Sequence, residues 1–149
     1  MRCIKDYKIF ESDGDLEFPT LQDVEEIETF FLEIVDEFDL EKDTEEDYAA
    51  YIDKGYYNIN ITNENSLRIN FNLDCESHNQ CEKLLDLLKE FNSVVKRYFP
   101  EVWISYKLNR VKVKAFDMFR NSPERNDIIH VMFLNKNKGT SNLFQIEII

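Results

Sequence analysis

Glycine, proline, cysteine and histidine are scarce in this chain, whose 149 residues include 3, 3, 3 and 2 of them respectively. Loops that wrap a phosphate or a dinucleotide need closely spaced glycines, and none of the familiar nucleotide-binding or hydrolase motifs is present. Cys3, Cys75 and Cys81 are odd in number and follow no export signal, which predicts reduced thiols. No apolar run approaches the roughly 18 residues that cross a bilayer, so we expect a cytoplasmic protein without a membrane partner.

Positive charge is missing from a long amino-terminal stretch. No lysine or arginine lies between Lys8 and Lys42, whereas residues 9–41 hold 13 acids. Residues 1–53 carry 19 acids and 4 bases, and residues 54–149 carry 11 acids and 14 bases, so the net charge of −12 is unevenly distributed. Such asymmetry bears on partners rather than on fold. Because 43% of the residues are hydrophobic, we expect one folded domain over residues 1–149 with an acidic, helical amino-terminal third.

Two segments have the 3.6-residue periodicity of amphipathic helices. In the first, the apolar residues between positions 24 and 38 share one arc, and Thr20 offers a capping hydroxyl before them. The second begins with a capping box at Ser77 and ends before Pro100. A shorter helix is predicted over residues 44–53.

Alternating polar and apolar residues begin at Tyr56 and predict a hairpin over residues 56–73. Its polar face carries Asn58, Asn60, Asn70 and Asn72, which we expect to be solvated, with a hydrogen-bonding contact surface as the alternative. Further strands are predicted over residues 2–10, 102–108, 110–119, 128–134 and 143–148. Because the loops are short, neighbouring strands should pair antiparallel. The predicted fold class is α+β, with a mainly antiparallel sheet of about five or six strands and two amphipathic helices on one face.

Five carboxylates of the first helix share one arc opposite its apolar stripe. Glu33 and Glu37 form a like-charged i,i+4 pair, a relation that costs about 0.2–0.5 kcal/mol. The second helix instead interleaves acids with lysines, as an ordinary solvated helix does. A surface that repels itself is relieved by a cationic partner, although a merely solvated acidic face is the simpler alternative. The predicted partner-binding residues are Glu25, Glu26, Glu33, Asp36, Glu37, Asp39, Glu41 and Asp43.

The sequence therefore predicts a non-enzymatic acidic binding protein, an inhibitor or nucleic-acid mimic. Its partner would be a basic protein surface, such as that of a nucleic-acid-binding enzyme. In its acidity the chain is similar to small acidic inhibitors, such as immunity proteins and phage-encoded proteins that block nucleic-acid enzymes, with no motif in common. No cofactor is expected, and a homodimer stays an open alternative.

Binding of RNA or single-stranded DNA is one alternative function. It would use the basic strand Lys107–Arg120, in which Arg110, Lys112 and Lys114 would project from one face beside aromatic residues. A net charge of −12 argues against this function because it repels phosphate at long range.

A small hydrolase that uses His130 is the second alternative. The apolar neighbours of His130 favour a partly buried imidazole in a strand over a general base. Cys75, His78 and Cys81 offer three soft metal ligands, with His130 or Cys3 as a fourth, but their C-x2-H-x2-C spacing matches no familiar zinc pattern. We therefore expect no metal site.

Overall fold

The computed structural model describes residues 17–43 and 55–149. In chain order the elements are α1 (Leu21–Phe38), β1 (Glu41–Lys42), β2 (Tyr56–Ile61), β3 (Leu67–Leu73), α2 (His78–Tyr98), β4 (Ile104–Leu108), β5 (Val111–Val113), α3 (Ala115–Phe119), α4 (Pro123–Asn137) and β6 (Asn142–Ile148). The predicted strand over residues 2–10 and the predicted helix over residues 44–53 lie outside the described residues. The α+β class with a mostly antiparallel sheet is confirmed.

The described strands form one sheet in the order β1-β2-β3-β6-β4-β5. The pair β1 and β2 is parallel, and the other neighbouring strands are antiparallel. The last strand in the sequence, β6, lies in the middle and pairs with β3 on one side and β4 on the other. It thereby joins the β2–β3 and β4–β5 hairpins into a single sheet.

One face of the sheet forms the hydrophobic core together with the helices. Along β6, burial alternates, and Phe144, Ile146 and Ile148 are fully buried on this face. The ring of Phe31 from α1 lies 5.2 Å from that of Phe71 and 5.6 Å from that of Phe91, measured between centroids. It therefore connects a helix, the sheet and the second helix within one core.

Both predicted helix starts are confirmed. The backbone N–H of Asp23 donates to Thr20 Oγ1 at 3.1 Å, and the N–H of Thr20 donates to Asp23 Oδ2 at 2.9 Å, which completes the capping box of α1. At α2 the N–H of Gln80 donates to Ser77 Oγ at 3.2 Å. The side chain of Gln80 accepts instead from the N–H of Glu76, at 2.6 Å. These bonds satisfy backbone donors that the first turn of a helix leaves unpaired.

Two of the predicted strands are wrong, wholly or in part. Residues 128–134 belong to α4, and residues 115–119 of the predicted strand 110–119 form α3. A short apolar run cannot be assigned to strand or helix by its periodicity alone. The deciding signal was local: Ser122 Oγ accepts from the N–H of Arg125 at 3.2 Å, and Pro123 occupies the first helical position. None of the described helices has the length and apolar character needed to cross a membrane.

Candidate functional site

We call the eight predicted partner-binding residues of α1 and its exit into β1 the acidic edge. Six of them are exposed, whereas Glu26 and Asp43 are half-buried. Asp39 ends α1 with φ 53°, a left-handed conformation that turns the chain into β1 at the end of the sheet. The buried side chain of Leu40 anchors this turn. The helix and the edge strand are thus joined by one tight turn, with acidic residues on both sides of it.

Few ion pairs within the described residues neutralise the acidic edge. Glu37 forms an ion pair of 3.0 Å with Lys83 of α2. Within residues 17–43 and 55–149, no ion pair involves Glu25, Glu26, Glu33, Asp36, Asp39 or Glu41. Lys42, which ends the stretch without bases, pairs with Glu28 at 3.0 Å. The cations around β5 lie at the opposite end of the sheet from β1.

Two leucines are exposed among these carboxylates. The side chain of Leu21 is 77% exposed and that of Leu32 is 40% exposed. At about 100° per residue, Leu21 and Leu32 lie within an arc of about 60° that also holds Glu25 and Asp36. Neither leucine was among the residues predicted from the sequence, although their spacing from the acids was the signal. Exposed apolar residues within a polar rim mark protein interfaces when they form a contiguous patch.

Tyr57 of β2 packs against α1, and its pKa is shifted mainly by burial. Its hydroxyl donates to Glu28 Oε2 at 2.9 Å. Burial, this hydrogen bond, and the charges of Glu28 and Asp36 together raise the pKa of Tyr57 to about 12. The neutral phenol is therefore the form that the folded protein favours.

We expect this shift to make the folded protein sensitive to alkaline pH. An unfolded tyrosine has a pKa of about 10, so the contribution of Tyr57 is complete below that pH and is lost between about pH 10 and about pH 12. Urea unfolding at several pH values should show a steeper loss of stability in wild type than in Tyr57→Phe. Equal losses in the two proteins would contradict the assignment.

The residues of the predicted basic strand are distributed over three elements. Lys107 of β4 lies directly opposite Lys112 of β5, and Arg110 lies in the turn between them with φ 70°. Lys114 precedes α3 as its N-cap residue. Arg120 stacks over the exposed ring of Phe116, 4.3 Å from its centroid. The structure therefore separates these cations instead of aligning them along one strand.

The aromatic residues of this region are likewise divided between the core and the surface. Tyr106 is buried and meets the ring of Phe119 edge-on, with centroids 5.5 Å apart. Trp103 is exposed at the start of β4, and Phe116 is exposed on α3. A continuous stacking surface beside the cations is thus not assembled by these described rings.

His130 lies exposed on α4, so the expectation of a partly buried imidazole in a strand is wrong. Its ring centroid is 6.4 Å from that of His78, which in turn lies 4.6 Å from Phe133. Cys75 and Cys81 are buried, and the hydrogen bond between their thiols, together with burial, raises the pKa of Cys75. His78 is exposed and apart from this pair, and the part of the chain that the structure describes holds no group of three potential metal ligands.

The chain matches no protein-family model, no curated protein and no solved structure at a significant level. Its function is therefore argued from the geometry of its surfaces.

Proposed function

We propose that this protein is a non-enzymatic binding protein whose acidic edge docks onto a basic surface of a partner protein. An inhibitor or a nucleic-acid mimic would act in this way. The observation that carries the proposal is a set of exposed carboxylates on α1 and β1, of which only Glu37 forms an ion pair with a described cation, together with the exposed Leu21 and Leu32 in the same arc of α1 as Glu25 and Asp36.

The carboxylates and the leucines would contribute at different distances. Between exposed charges, attraction acts over about 10 Å at moderate salt, so the acidic edge would steer a basic partner and speed association. Burial of a leucine side chain contributes about 1.5–3 kcal/mol, but only once the surfaces touch. The carboxylates would therefore speed formation of the complex, and Leu21 and Leu32 would slow its dissociation.

The helix α2 shows what an ordinary solvated face looks like in the same molecule. Its exposed acids Glu82 and Glu90 alternate with the exposed bases Lys83 and Lys89. The helix α1 contains no base at all. Charge of one sign on α1, in contrast to the mixed charge of α2, favours docking over simple solvation because a single-sign field steers a partner of opposite charge.

The test compares two charge reversals of equal size. The edge variant carries Glu25→Lys and Glu33→Lys, and the control variant carries Glu82→Lys and Glu90→Lys on α2. Glu37 is kept because its carboxylate binds Lys83. Each protein would be used to capture partners from a cell lysate at about 0.05 M and about 0.5 M salt, which changes the screening of exposed charges. A captured protein would then be purified and its affinity measured by calorimetry.

We expect the partner to bind wild type and the control variant equally and to bind the edge variant about 100-fold more weakly, since charge pairs across an interface are worth more than about 1 kcal/mol each. High salt should weaken the complex of wild type. The free edge variant should stay within about 0.5 kcal/mol of wild type because Glu33→Lys removes the repulsion of Glu37. A partner that binds all three proteins alike would overturn the proposal.

A further inference from the structure

The face of the sheet that points away from the core carries a row of polar side chains. The strand register places Asn58 opposite Asn70, Asn70 opposite Gln145, and Gln145 opposite Lys107. Lys112 continues the row on β5. The row thus crosses five strands and passes from neutral amides at β2 to cations at β5.

Hydrogen bonds fix the amides of this row. Gln145 Nε2 donates to Asn70 Oδ1 at 3.1 Å, and Asn70 Nδ2 donates to Asn58 Oδ1 at 3.2 Å. Asn60 Nδ2 also donates to Asn58 Oδ1, at 3.0 Å. Because each amide is oriented by its neighbour, the row offers preorganised donors and acceptors rather than freely rotating side chains.

A groove of about 730 Å³ lies on this face, over β3, β6 and β4. Its floor and walls include Arg68, Asn70, Lys107 and Gln145, and the loop at residues 139–141 closes one side. A smaller cavity of about 90 Å³ adjoins it and shares Arg68, Lys107 and Gln145. A volume of this size lies within the range of about 300–1,000 Å³ that small-molecule sites occupy.

Asn72, which lines the groove, has an unsatisfied hydrogen-bond donor. Its side chain is 3% exposed, and its Oδ1 accepts from the N–H of Tyr56 at 2.9 Å. Its Nδ2 has no hydrogen-bond partner among the described residues. A buried donor without a partner costs about 1–3 kcal/mol, and a ligand acceptor would remove that cost once the amide turned its Nδ2 toward the groove.

Two cations at the groove have no counter-ion among the described residues. Arg68 is neutralised by Glu147 at 3.3 Å. Lys107 and Arg110 form no ion pair with any described residue, and the like-charged Lys112 lies directly opposite Lys107. Like charges opposite each other in a sheet repel, and a bound anion would relieve that repulsion.

We propose that this groove binds a small phosphorylated ligand of nucleotide or sugar-phosphate size. The phosphate would lie between Lys107 and Arg110, and the hydroxyl or carbonyl groups of the ligand would meet Asn70, Asn72 and Gln145. This activity is separate from the acidic edge because the groove lies over the central strands, on the face of the sheet that points away from the core.

The side chains that line the groove favour a small ligand over a nucleic-acid strand. Proteins that hold single strands without sequence preference stack the bases on aromatic rings. No aromatic side chain is among the described residues that line the groove. Oriented amides, hydroxyl groups of Thr140 and Ser141, and two unpaired cations instead suit a compact ligand with one charged end.

The test is a titration of the full chain followed by nuclear magnetic resonance of its backbone and side-chain amides. One arm uses nucleoside monophosphates and the other uses hexose phosphates. Inorganic phosphate, the unphosphorylated nucleoside and hexose, and a short single-stranded oligonucleotide serve as comparison probes. Each small probe would be added up to about 10 mM, which detects dissociation constants in the millimolar range.

Three variants test whether a probe binds in the groove. Lys107→Gln with Arg110→Gln removes the unpaired cations, and Lys89→Gln with Arg97→Gln makes the same charge change on α2. All four of these side chains are exposed, so the fold should persist. Asn72→Asp keeps an acceptor for the N–H of Tyr56 but removes the unsatisfied donor.

We expect one phosphorylated class to shift the side-chain amides of Asn70, Asn72 and Gln145 and to bind at least about 10-fold tighter than inorganic phosphate. The groove double variant should weaken this binding by about 30-fold or more, Asn72→Asp by about 10-fold, and the α2 variant not at all. The class that binds more tightly, nucleoside monophosphates or hexose phosphates, shows which kind of phosphorylated ligand the groove accepts. Absence of binding in both arms, equal binding of inorganic phosphate, or a response to the oligonucleotide alone would overturn the proposal.

Discussion

Replacing Phe31 with alanine should lower the free energy of unfolding by about 4 kcal/mol, the middle of the range for a buried phenylalanine. The Phe31 ring is fully buried and contacts the rings of Tyr57, Phe71 and Phe91. The truncation therefore removes aromatic contacts to both the sheet and α2, and it leaves a cavity that rigid neighbours cannot fill.

Urea unfolding followed by circular dichroism measures this effect as a shift of the midpoint at an unchanged slope. The matched control is Leu21→Ala on the same helix, whose side chain is 77% exposed and should change stability by no more than about 0.5 kcal/mol. A loss below about 2 kcal/mol in Phe31→Ala would show that the cluster of these four aromatic rings is not the centre of the core.

Asn142→Ala should cost about 3 kcal/mol, because it leaves several buried polar groups without partners. The side chain of Asn142 is fully buried at the start of β6. Its Oδ1 accepts from Asn135 Nδ2 at 2.7 Å and from Asn109 Nδ2 at 3.2 Å, and its Nδ2 donates to the carbonyl of Met132 at 3.0 Å. One amide therefore connects α4, β6 and the β4–β5 turn.

We expect Asn142→Ala to disturb the groove as well as the core. Asn109 also accepts from the N–H of Leu143 at 2.9 Å and directly precedes Arg110, a cation of the groove. Denaturation would give the loss of stability, and the amide signals of residues 107–112 would report the loosened turn. Asn63→Ala, at an exposed turn position, is the control. Equal stabilities of Asn142→Ala and Asn63→Ala would contradict the assigned hydrogen-bond network.

Elements with their own start and stop signals were predicted well from the sequence. The helices α1 and α2 have capping side chains and long apolar stripes, and the β2–β3 hairpin alternates around a short turn. These signals act between residues close in the chain, so they can be read without knowing the fold. The helix α4 was missed because its β-branched residues favour a strand by propensity, whereas Ser122 and Pro123 start a helix.

The candidate sites, too, were predicted only where the signal was local in the sequence. Exposure of Glu25, Glu33, Asp36 and Glu37 followed from helical periodicity, since an arc opposite the apolar stripe must face solvent. The aligned basic strand did not form, because the chain turns at Asn109 and Arg110 and then enters α3. The sequence predicted a break between two strands at Asn109, but it did not predict that Arg110 lies in the turn or that residues 115–119 form a helix.

The sequence alone thus determined the α+β class, the amphipathic faces of α1 and α2, and the uneven charge, because each depends on neighbours within a few residues. Only the tertiary structure decided that β6 lies between the two hairpins and that Asn70, Gln145 and Lys107 form one row. Residues so far apart in the chain meet only when the register of a central strand is fixed by the packing of its buried face. The groove and its unpaired donor at Asn72 are consequences of that packing.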